Sequence, residues 1–350
     1  VHGPCAKAIK GAATQPILRV GTDCSGMEAP IQAIRNLRLA HQHICSCDND
    51  PHVIQTHKAN FCPQKHDDDI ITRNNKETPS VDLYVAGFPC QPFSNAGKQQ
   101  GFEDTKGRGT IFYNVLEYIE LQRPKVFIFE NVKGLLTMDH GKHVKKILGA
   151  LLDIRSISKE RPNERESAYE VHTEILDTKQ HGIPQSRPRW YCVGILKTTF
   201  QGSSSQFKFP EPIPMTPIDT LLEWDSDKAQ IWHLSKTAAA NVEQAHKRII
   251  SEGGKPSQEA YIVDCDASRA QSRHTKGYSP GITRSRYNGR WITHKNRRMK
   301  LEERFRLQGM NPHHFSKVVS FAQLGIQIGN AMSINVIERV ILRALTAANL

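Results

Sequence analysis

Apolar residues in this chain fall into short continuous runs separated by stretches with helical spacing. Ile17–Gly21 is compact and apolar enough for a buried strand, and Ala29–Leu39 repeats its apolar residues at the period of a helix. His43–Cys47 predicts a second strand and Val53–Asn60 a second helix. Further strands are expected at Val81–Ala86, Val126–Phe129, Tyr169–Leu176 and Trp190–Leu196, with helices at Thr110–Gln122 and Val144–Leu152. Strand and helix in alternation predict an α/β fold, a doubly wound and mostly parallel sheet with helices on both faces. Sheets of this kind bind ligands at the carboxyl ends of their strands. The rhythm breaks between about Lys197 and Gly281, where the polar run Gly202–Gln206 and the prolines Pro210, Pro212, Pro214 and Pro217 predict a small inserted lobe. It returns with helices at Leu301–Leu307 and Ser333–Ala348. The expected division is therefore a first domain at 16–196, the lobe at 197–281, and a return to the first domain at 282–350.

A chain of 350 residues, 38% of them hydrophobic, suits one large α/β domain with an insert. No apolar run reaches the length of about 18 residues that a membrane helix needs. The first residue is Val1 and no signal peptide follows, as expected of a piece cut from a longer protein inside a cell. Eight scattered cysteines without a Cys-x-x-Cys pair predict a reducing compartment and no metal site; Cys45-Ser46-Cys47 lacks a second pair at zinc spacing. The net charge of +12 is concentrated. Twelve Lys or Arg lie between Arg269 and Met310 against only Glu302 and Glu303, with Tyr278, Tyr287 and Trp291 interleaved. A basic stretch with aromatics points to nucleic acid.

The candidate chemistry centres on Gly87-Phe88-Pro89-Cys90-Gln91-Pro92-Phe93-Ser94, which follows a predicted strand. Neither proline can donate to a sheet ladder, so Cys90 is poorly placed as core and well placed as a thiol held at an exposed point. Glu130 ends the strand Val126–Phe129. A thiol nucleophile with a facing acid is what addition to a heteroaromatic ring requires.

Further segments follow in order: Gly107-Arg108-Gly109-Thr110-Ile111-Phe112, Glu130-Asn131-Val132, Gln185-Ser186-Arg187-Pro188-Arg189, Arg306-Leu307-Gln308-Gly309 and Gln327-Ile328-Gly329-Asn330-Ala331. With the Cys90 segment, and from about Leu18 to Ala344, the chain resembles the cytosine-C5 methyltransferase family. The resemblance implies a Rossmann-like class I methyltransferase sheet with an inserted target-recognition lobe, and S-adenosylmethionine as methyl donor, leaving as S-adenosylhomocysteine. It implies that the Cys90 thiolate adds to C6 of cytosine. Glu130 then bonds N3 and the exocyclic amine, with a pKa raised by partial burial. Arg187 is the first candidate to stabilise the thiolate and Arg189 the second. Ser25, Gly26 and Met27 are expected to meet the methyl donor through their backbone, Asp48 with Asn49 its ribose, and Asp69 with Ile70 its adenine. Phe88, Pro89, Asn330 and Ala331 complete that pocket. The first motif departs from the family: Cys24 stands where the family has phenylalanine, and Glu28-Ala29 where it has glycines.

The implied partner is double-stranded DNA, with the target base flipped out to reach Cys90. Ser94, Lys98, Gln99 and Arg108 are candidate contacts in or beside a closing loop, Asn95–Gly109, with Gln99 or Gln100 filling the gap left by the base. Arg273, Arg284 and Arg286 face either base edges or phosphates, and Arg298 faces phosphate. No metal and no membrane enter this reading, which has the domain acting as a monomer, in a nucleus if the cell has one and in cytoplasm if it is bacterial. Two alternatives stand beside it. One is the tRNA-modifying branch of the same family, whose Pro-Pro-Cys-Gln-Pro-Phe-Thr and Cys-Phe-Thr signatures are not matched by Phe88 and Ser94. The other is an inactive DNA-binding homologue, against which Cys90, Glu130 and Arg187 argue.

Overall fold

Strand β1, Leu18–Asp23, is buried at five of its six positions, as a central strand of a covered parallel sheet must be. The computed structural model describes residues 17–89, 111–157, 164–224 and 234–350. After β1 come α1 (Ala29–Asn36), β2 (His41–Cys47), α2 (Pro51–Asn60), β3 (Lys65–Asp67), β4 (Leu83–Ala86), α3 (Ile111–Gln122), β5 (Val126–Val132) and α4 (Lys142–Leu152). Two short strands, β6 (Arg155–Ile157) and β7 (Arg165–Ser167), pair antiparallel. Then follow β8 (Tyr169–Asp177), β9 (Gln185–Ser186) and β10 (Pro188–Leu196).

The main sheet runs in the order β3-β2-β1-β4-β5-β10-β8, and its first five strands are parallel. The chain winds outward from β1 to β3 and then crosses back to β4 on the other side of β1. Strand order therefore reverses between β1 and β4, and the carboxyl ends of these two strands open the crevice where doubly wound sheets bind ligands. One core cluster gathers Tyr84, Ala86, Phe127, Phe129, Trp190 and Cys192 from alternate strand positions with Phe112, Val115 and Ile119 of α3 and Ile147 and Leu151 of α4. The intervening Leu83, Val85, Val126, Ile128, Tyr191 and Val193 are equally buried, so both faces of the sheet are covered.

The remaining elements are α5 (Lys236–Ser251), β11 (Tyr261–Val263), β12 (His274–Lys276), β13 (Ser279–Pro280), β14 (Trp291–Ile292), β15 (Arg297–Arg298), α6 (Leu301–Leu307), α7 (Phe321–Asn330) and α8 (Ile334–Ala347). Strands β12-β11-β14-β15 form an antiparallel sheet, against which Ala238, Val242 and Ala245 of α5 pack with Val263, Cys265 and Trp291. The chain divides into two compact units: Val1–Ile175 with Trp190–Pro210 and Glu338–Leu350, and Leu176–Arg189 with Glu211–Ile337. The second unit thus reaches beyond the expected 197–281, because α6 and α7 join it and Lys197–Pro210 stays with the first. Among the described residues no helix is long and apolar enough to cross a membrane.

Several elements escape the apolar pattern, among them β3, α5 and α7. The edge strand β3 is three half-buried polar residues, with no hydrophobic signal to read. Helix α5 buries alanines and Asn241 where a stripe of large side chains would be recognisable, and its start is set by Ser235, whose hydroxyl accepts from Ala238 N–H. Helix α7 is likewise capped by Ser320, which accepts from Gln323 N–H.

One glycine of the sheet is required by close packing. A Cβ on Gly194 of β10 would lie 2.0 Å from Cε1 of Phe127 on β5. Gly194→Ala is expected to cost about 1–3 kcal/mol through overpacking. Thermal unfolding checks this: the midpoint falls for Gly194→Ala and does not fall for the control Gly149→Ala, an exposed helical position where an added Cβ meets nothing within 4 Å.

Candidate active site

The turn from β1 into α1 is built from left-handed residues: Cys24 at φ 50°, Gly26 at φ 53° and Glu28 at φ 51°. Two of these are not glycine, a conformation that costs about 1–2 kcal/mol per residue and needs partners to hold it. Ser25 N–H donates to the Cys47 carbonyl at 3.2 Å, and its hydroxyl donates to the same carbonyl at 3.2 Å. Gly26 N–H donates to Asp48 Oδ2 at 2.9 Å, while Asp48 Oδ1 accepts from Asp50 N–H at 3.1 Å. Burial raises the Asp48 pKa, opposed by those two hydrogen bonds. Met27 is fully buried, and Asn49 is exposed. No atom lies within 4 Å of the position a Cβ would take on Gly26.

Beneath the turn lies a polar cluster that the sequence reading did not recognise. Glu28 is fully buried; its Oε1 accepts from Thr22 Oγ1 at 2.9 Å and from Ser46 Oγ at 2.6 Å. Burial raises its pKa, against the pull of His57 and these hydroxyls. His43 Nε2 is 3.5 Å from Glu28 Oε1 and 3.4 Å from Thr22 Oγ1. Burial, then the charges of Arg35 and His41, pull the His43 pKa down to about 3.

A second buried group ties down the stretch that follows β3. Arg73 donates to Asp23 Oδ1 and Oδ2 at 2.5 and 2.6 Å and to Asn75 Oδ1 at 3.0 Å, and the Tyr84 hydroxyl also donates to Asp23. The segment leading to Arg73 carries Asp69, whose Oδ1 accepts from Ile71 N–H at 2.9 Å, and Ile70, which is buried in the core cluster with Cys47 and Phe88. The Asp23 carboxylate at the end of β1 thereby fixes this loop to the sheet.

Strands β4 and β5 pair in register to Ala86↔Phe129, so Gly87-Phe88-Pro89 leaves β4 beside Glu130, which lies within β5. Phe88 sits between the rings of Phe112 and Phe129, each 5.8 Å away. Asn131 Nδ2 donates to the Phe88 carbonyl at 3.3 Å, and its Oδ1 accepts from Val132 N–H at 2.8 Å. Asn131 thus couples the backbone leading to Cys90 to the residue beside Glu130, which is itself buried. Cys90, Ser94, Lys98, Gln99 and Arg108 lie outside the described residues.

In the second unit, Arg187 is buried, and its guanidinium donates to the carbonyls of Ile282 (2.5 Å), Gly329 (3.2 Å) and Ala331 (2.7 Å). The thiolate role expected of Arg187 concerns Cys90, which lies outside the described residues. Arg189 donates to the Pro188 carbonyl at 2.9 Å. Gln185 and Gln308 complete a hub around Arg187: Gln185 accepts from Ile282 N–H and donates to the Leu307 carbonyl, while Gln308 donates to the carbonyls of Ile328 and Ala331. Asn330 is exposed and Ala331 buried.

The four candidate DNA arginines of this unit separate by burial. Arg273 and Arg284 are exposed. Arg286 is half-buried and donates to Asp264 Oδ1 at 2.6 Å. For Arg298 the expected phosphate contact gives way to an internal ion pair: it is buried, bonds both Asp266 oxygens at 2.7 Å, and donates to the Gly289 carbonyl at 2.7 Å. A basic count along a sequence cannot tell a charge that faces solvent from one that a nearby aspartate has neutralised.

The sequence profile of C-5 cytosine-specific DNA methylases matches residues 23–345. The chain belongs to the C-5 cytosine-specific DNA methylase family. This methylase is 33% identical over 304 residues to the type II methyltransferase M1.ScrFI of Lactococcus lactis subsp. cremoris, covering 85% of this chain and 70% of that one. It is 32% identical over 297 residues to the type II methyltransferase M.NgoBI of Neisseria gonorrhoeae, covering 85% and 84%. The structure of the S. pombe Dnmt2 methyltransferase superposes with a TM-score of 0.62 at 18% identity, over 96% of this chain and all of that one, a likeness that speaks for the fold. The methylase is an enzyme of DNA cytosine-C5 methylation, with the mostly parallel sheet of class I methyltransferases.

His43 gives the cluster a pH signature. Its pKa of about 3 in the fold lies below its value of about 6.5 when unfolded, so on acidification the unfolded chain takes the proton first. The stability His43 contributes is present above about pH 6.5 and drains as pH falls toward 3. Between pH 6.5 and 5 the loss amounts to roughly 2 kcal/mol. Denaturant unfolding at both pH values is expected to show the methylase losing that much more than His43→Gln, which keeps an N–H for Thr22 and does not titrate; equal losses count against a neutral buried His43.

Proposed function

We propose that this methylase moves a methyl group from S-adenosylmethionine to C5 of a cytosine flipped out of duplex DNA, with Cys90 as nucleophile and Glu130 as the acid facing it. The observation that carries this reading is the coupling of the two strand ends by Asn131, which bonds the peptide two residues before Cys90 from the residue next to Glu130. The thiol loses its proton and forms an Sγ–C6 bond; the C5=C6 electron pair moves into the ring as N3 takes a proton that Glu130 holds. C5 then carries enamine character and bonds the methyl group. Loss of the C5 proton returns the electron pair to C5=C6 and breaks the Sγ–C6 bond, freeing Cys90 as the thiolate, while the N3 proton returns to Glu130. S-adenosylmethionine supplies the methyl group as a sulfonium, a leaving-group chemistry the protein lacks by itself.

The residues of the β1–α1 turn fit such a donor. Space is open beside Gly26, and Asp48 follows β2 at the strand end where a ribose acceptor belongs. Ser25, Gly26, Met27 and Asp48 with Asn49 are read as its contacts, with Asp69, Ile70, Phe88 and Pro89 beside the adenine. The family resemblance adds Asn330 and Ala331 to this reading.

Duplex DNA carrying 5-fluorocytosine tests the chemistry, because fluorine at C5 blocks the final elimination. With S-adenosylmethionine present, a covalent complex that survives denaturation is expected for wild type and lost in Cys90→Ala. Glu130→Gln is expected to slow its formation by about 10²–10⁴-fold. An adduct confined to structured RNA moves the reading to the tRNA-modifying branch, and none on either substrate to an inactive homologue.

DNA contact is expected of the exposed arginines and not of the internal one. Arg284→Ala is expected to weaken duplex binding and lower the salt dependence of log K by about one. Arg298→Ala is expected to show first in a lower thermal midpoint, and a salt slope changed only by Arg298→Ala inverts the assignment.

A further inference from the structure

One neighbouring segment holds Gly26 from both sides. Its N–H donates to Asp48 Oδ2 at 2.9 Å and its carbonyl accepts from His57 Nε2 at 2.7 Å. Asp48 and His57 belong to the same stretch of chain, from the end of β2 into α2. Among the described residues, none beyond its chain neighbours comes within 4 Å of where a Cβ on Gly26 would stand, and its backbone is left-handed, so hydrogen bonds have to fix the direction of its two peptide groups.

His57 is 2% exposed. A carbonyl can only accept, so Nε2 carries the hydrogen and Nδ1 does not unless the ring is charged. Burial, set against the Glu28 charge and the Gly26 bond, lowers the His57 pKa and keeps the ring neutral. Among the described residues Nδ1 is buried without a partner, a cheaper arrangement for an acceptor than for a hydrogen-bearing nitrogen. Glu28 Oε1 stands 3.9 Å from His57 Nε2 and so favours the tautomer with hydrogen on that side.

Glu28 itself is costly. It occupies the cap position of α1 in a left-handed conformation, yet its side chain makes no cap bond and turns inward instead. One oxygen has two hydroxyl donors, and the other, Oε2, is buried without a partner among the described residues. A carboxyl desolvated to this extent in a strained backbone adds nothing to packing that a smaller residue would not supply, and such cost is kept where a site depends on it.

We propose that His57 and Glu28 are positioning residues for methyl-donor binding: His57 sets the direction of the Gly26 peptide, and Glu28 sets the tautomer and orientation of His57. In this chain the pair replaces the steric freedom of a glycine-rich turn with a hydrogen-bonded clamp. The inference rests on the reading of Ser25–Met27 as the methyl-donor turn. Neither residue touches the donor, and the clamp acts through the backbone of Gly26.

The test uses the full chain and S-adenosylhomocysteine as the titrated ligand, with kcat and KM for S-adenosylmethionine measured on duplex DNA. His57→Leu, which removes the donor, is expected to weaken S-adenosylhomocysteine binding about tenfold and to raise KM alike, the usual cost of one unpaired buried carbonyl. Its kcat at saturating donor is expected to stay within about twofold of wild type, since the reacting groups are untouched. His57→Gln, whose amide N–H reaches the same carbonyl, is expected to restore most of the affinity. Glu28→Leu is expected to behave as His57→Leu, and Glu28→Gln to keep most of the affinity. A purely structural role lowers thermal stability in His57→Leu while leaving affinity and KM at wild-type values, and that result overturns the proposal. If the leucine variants do not fold, His57→Asn, whose shorter amide falls short of Gly26, takes their place; unchanged affinity in that variant overturns the proposal equally. Asp48→Ala separates the two layers of the argument. Lost binding in Asp48→Ala with unchanged binding in His57→Leu sinks the clamp alone, whereas unchanged binding in both sinks the reading of the turn.

Discussion

A peptide group that leaves a sheet or helix and stays buried must find a partner, and this requirement organises both units of the protein. At the end of β1 the partners of the Gly26 peptide groups are Asp48 and His57. At the end of β4 the partner of the Phe88 carbonyl is Asn131. In the second unit the carbonyls of Ile282, Gly329 and Ala331 are met by Arg187, with Gln308 shared at Ala331. In each case a side chain from one segment takes the place of a regular backbone ladder, so two segments distant in sequence become one mechanical piece. Removing any of these side chains leaves a buried polar group exposed to no water, which is why such residues carry more weight than their surface area suggests.

The same view sorts the charges. Arg73, Arg298 and Arg187 are used inside the fold: Arg73 on Asp23, Arg298 on Asp266, Arg187 on carbonyls. Arginine suits this work because its fork of donors meets two or three acceptors at once. What remains for a polyanion is the outward set, of which Arg273 and Arg284 are described. The net charge of +12 is therefore a poor guide to contact residues while remaining a fair guide to the class of partner.

The first motif shows how one chain meets a family requirement with different chemistry. Glycines solve a tight turn by having no Cβ; here Cys24 and Glu28 accept left-handed backbone, and a buried set of Thr22, Ser46, His43 and His57 surrounds the Glu28 carboxyl. The arrangement is less tolerant than a glycine turn, since it rests on the protonation of two buried histidines and one buried acid. It also ties the turn to α2 through the His57–Gly26 hydrogen bond.

Much was legible in the sequence because it is written locally. Apolar runs mark β1, β2, β4, β5, β8 and β10 within a few residues, since strands covered on both faces must be apolar throughout. Cys90 and Glu130 stand out because proline-flanked cysteine and a strand-ending acid are poor core. The order of motifs gave the family, and the profile match from 23 to 345 agrees. Other features had no local signal. Strand β3 is polar and half-buried, α5 hides its packed face in alanines, and the unit boundary depends on which residues α6 and α7 meet. His57 and Glu28 looked like an ordinary helix residue and a lost glycine. Arg298 looked like Arg284. The sequence by itself determined which backbone segments are strands and helices and which residue types can do the chemistry, because those follow from spacing and composition. Only the tertiary structure decided which polar side chains turn inward to bond stranded peptide groups, because that choice is made by partners tens of residues away.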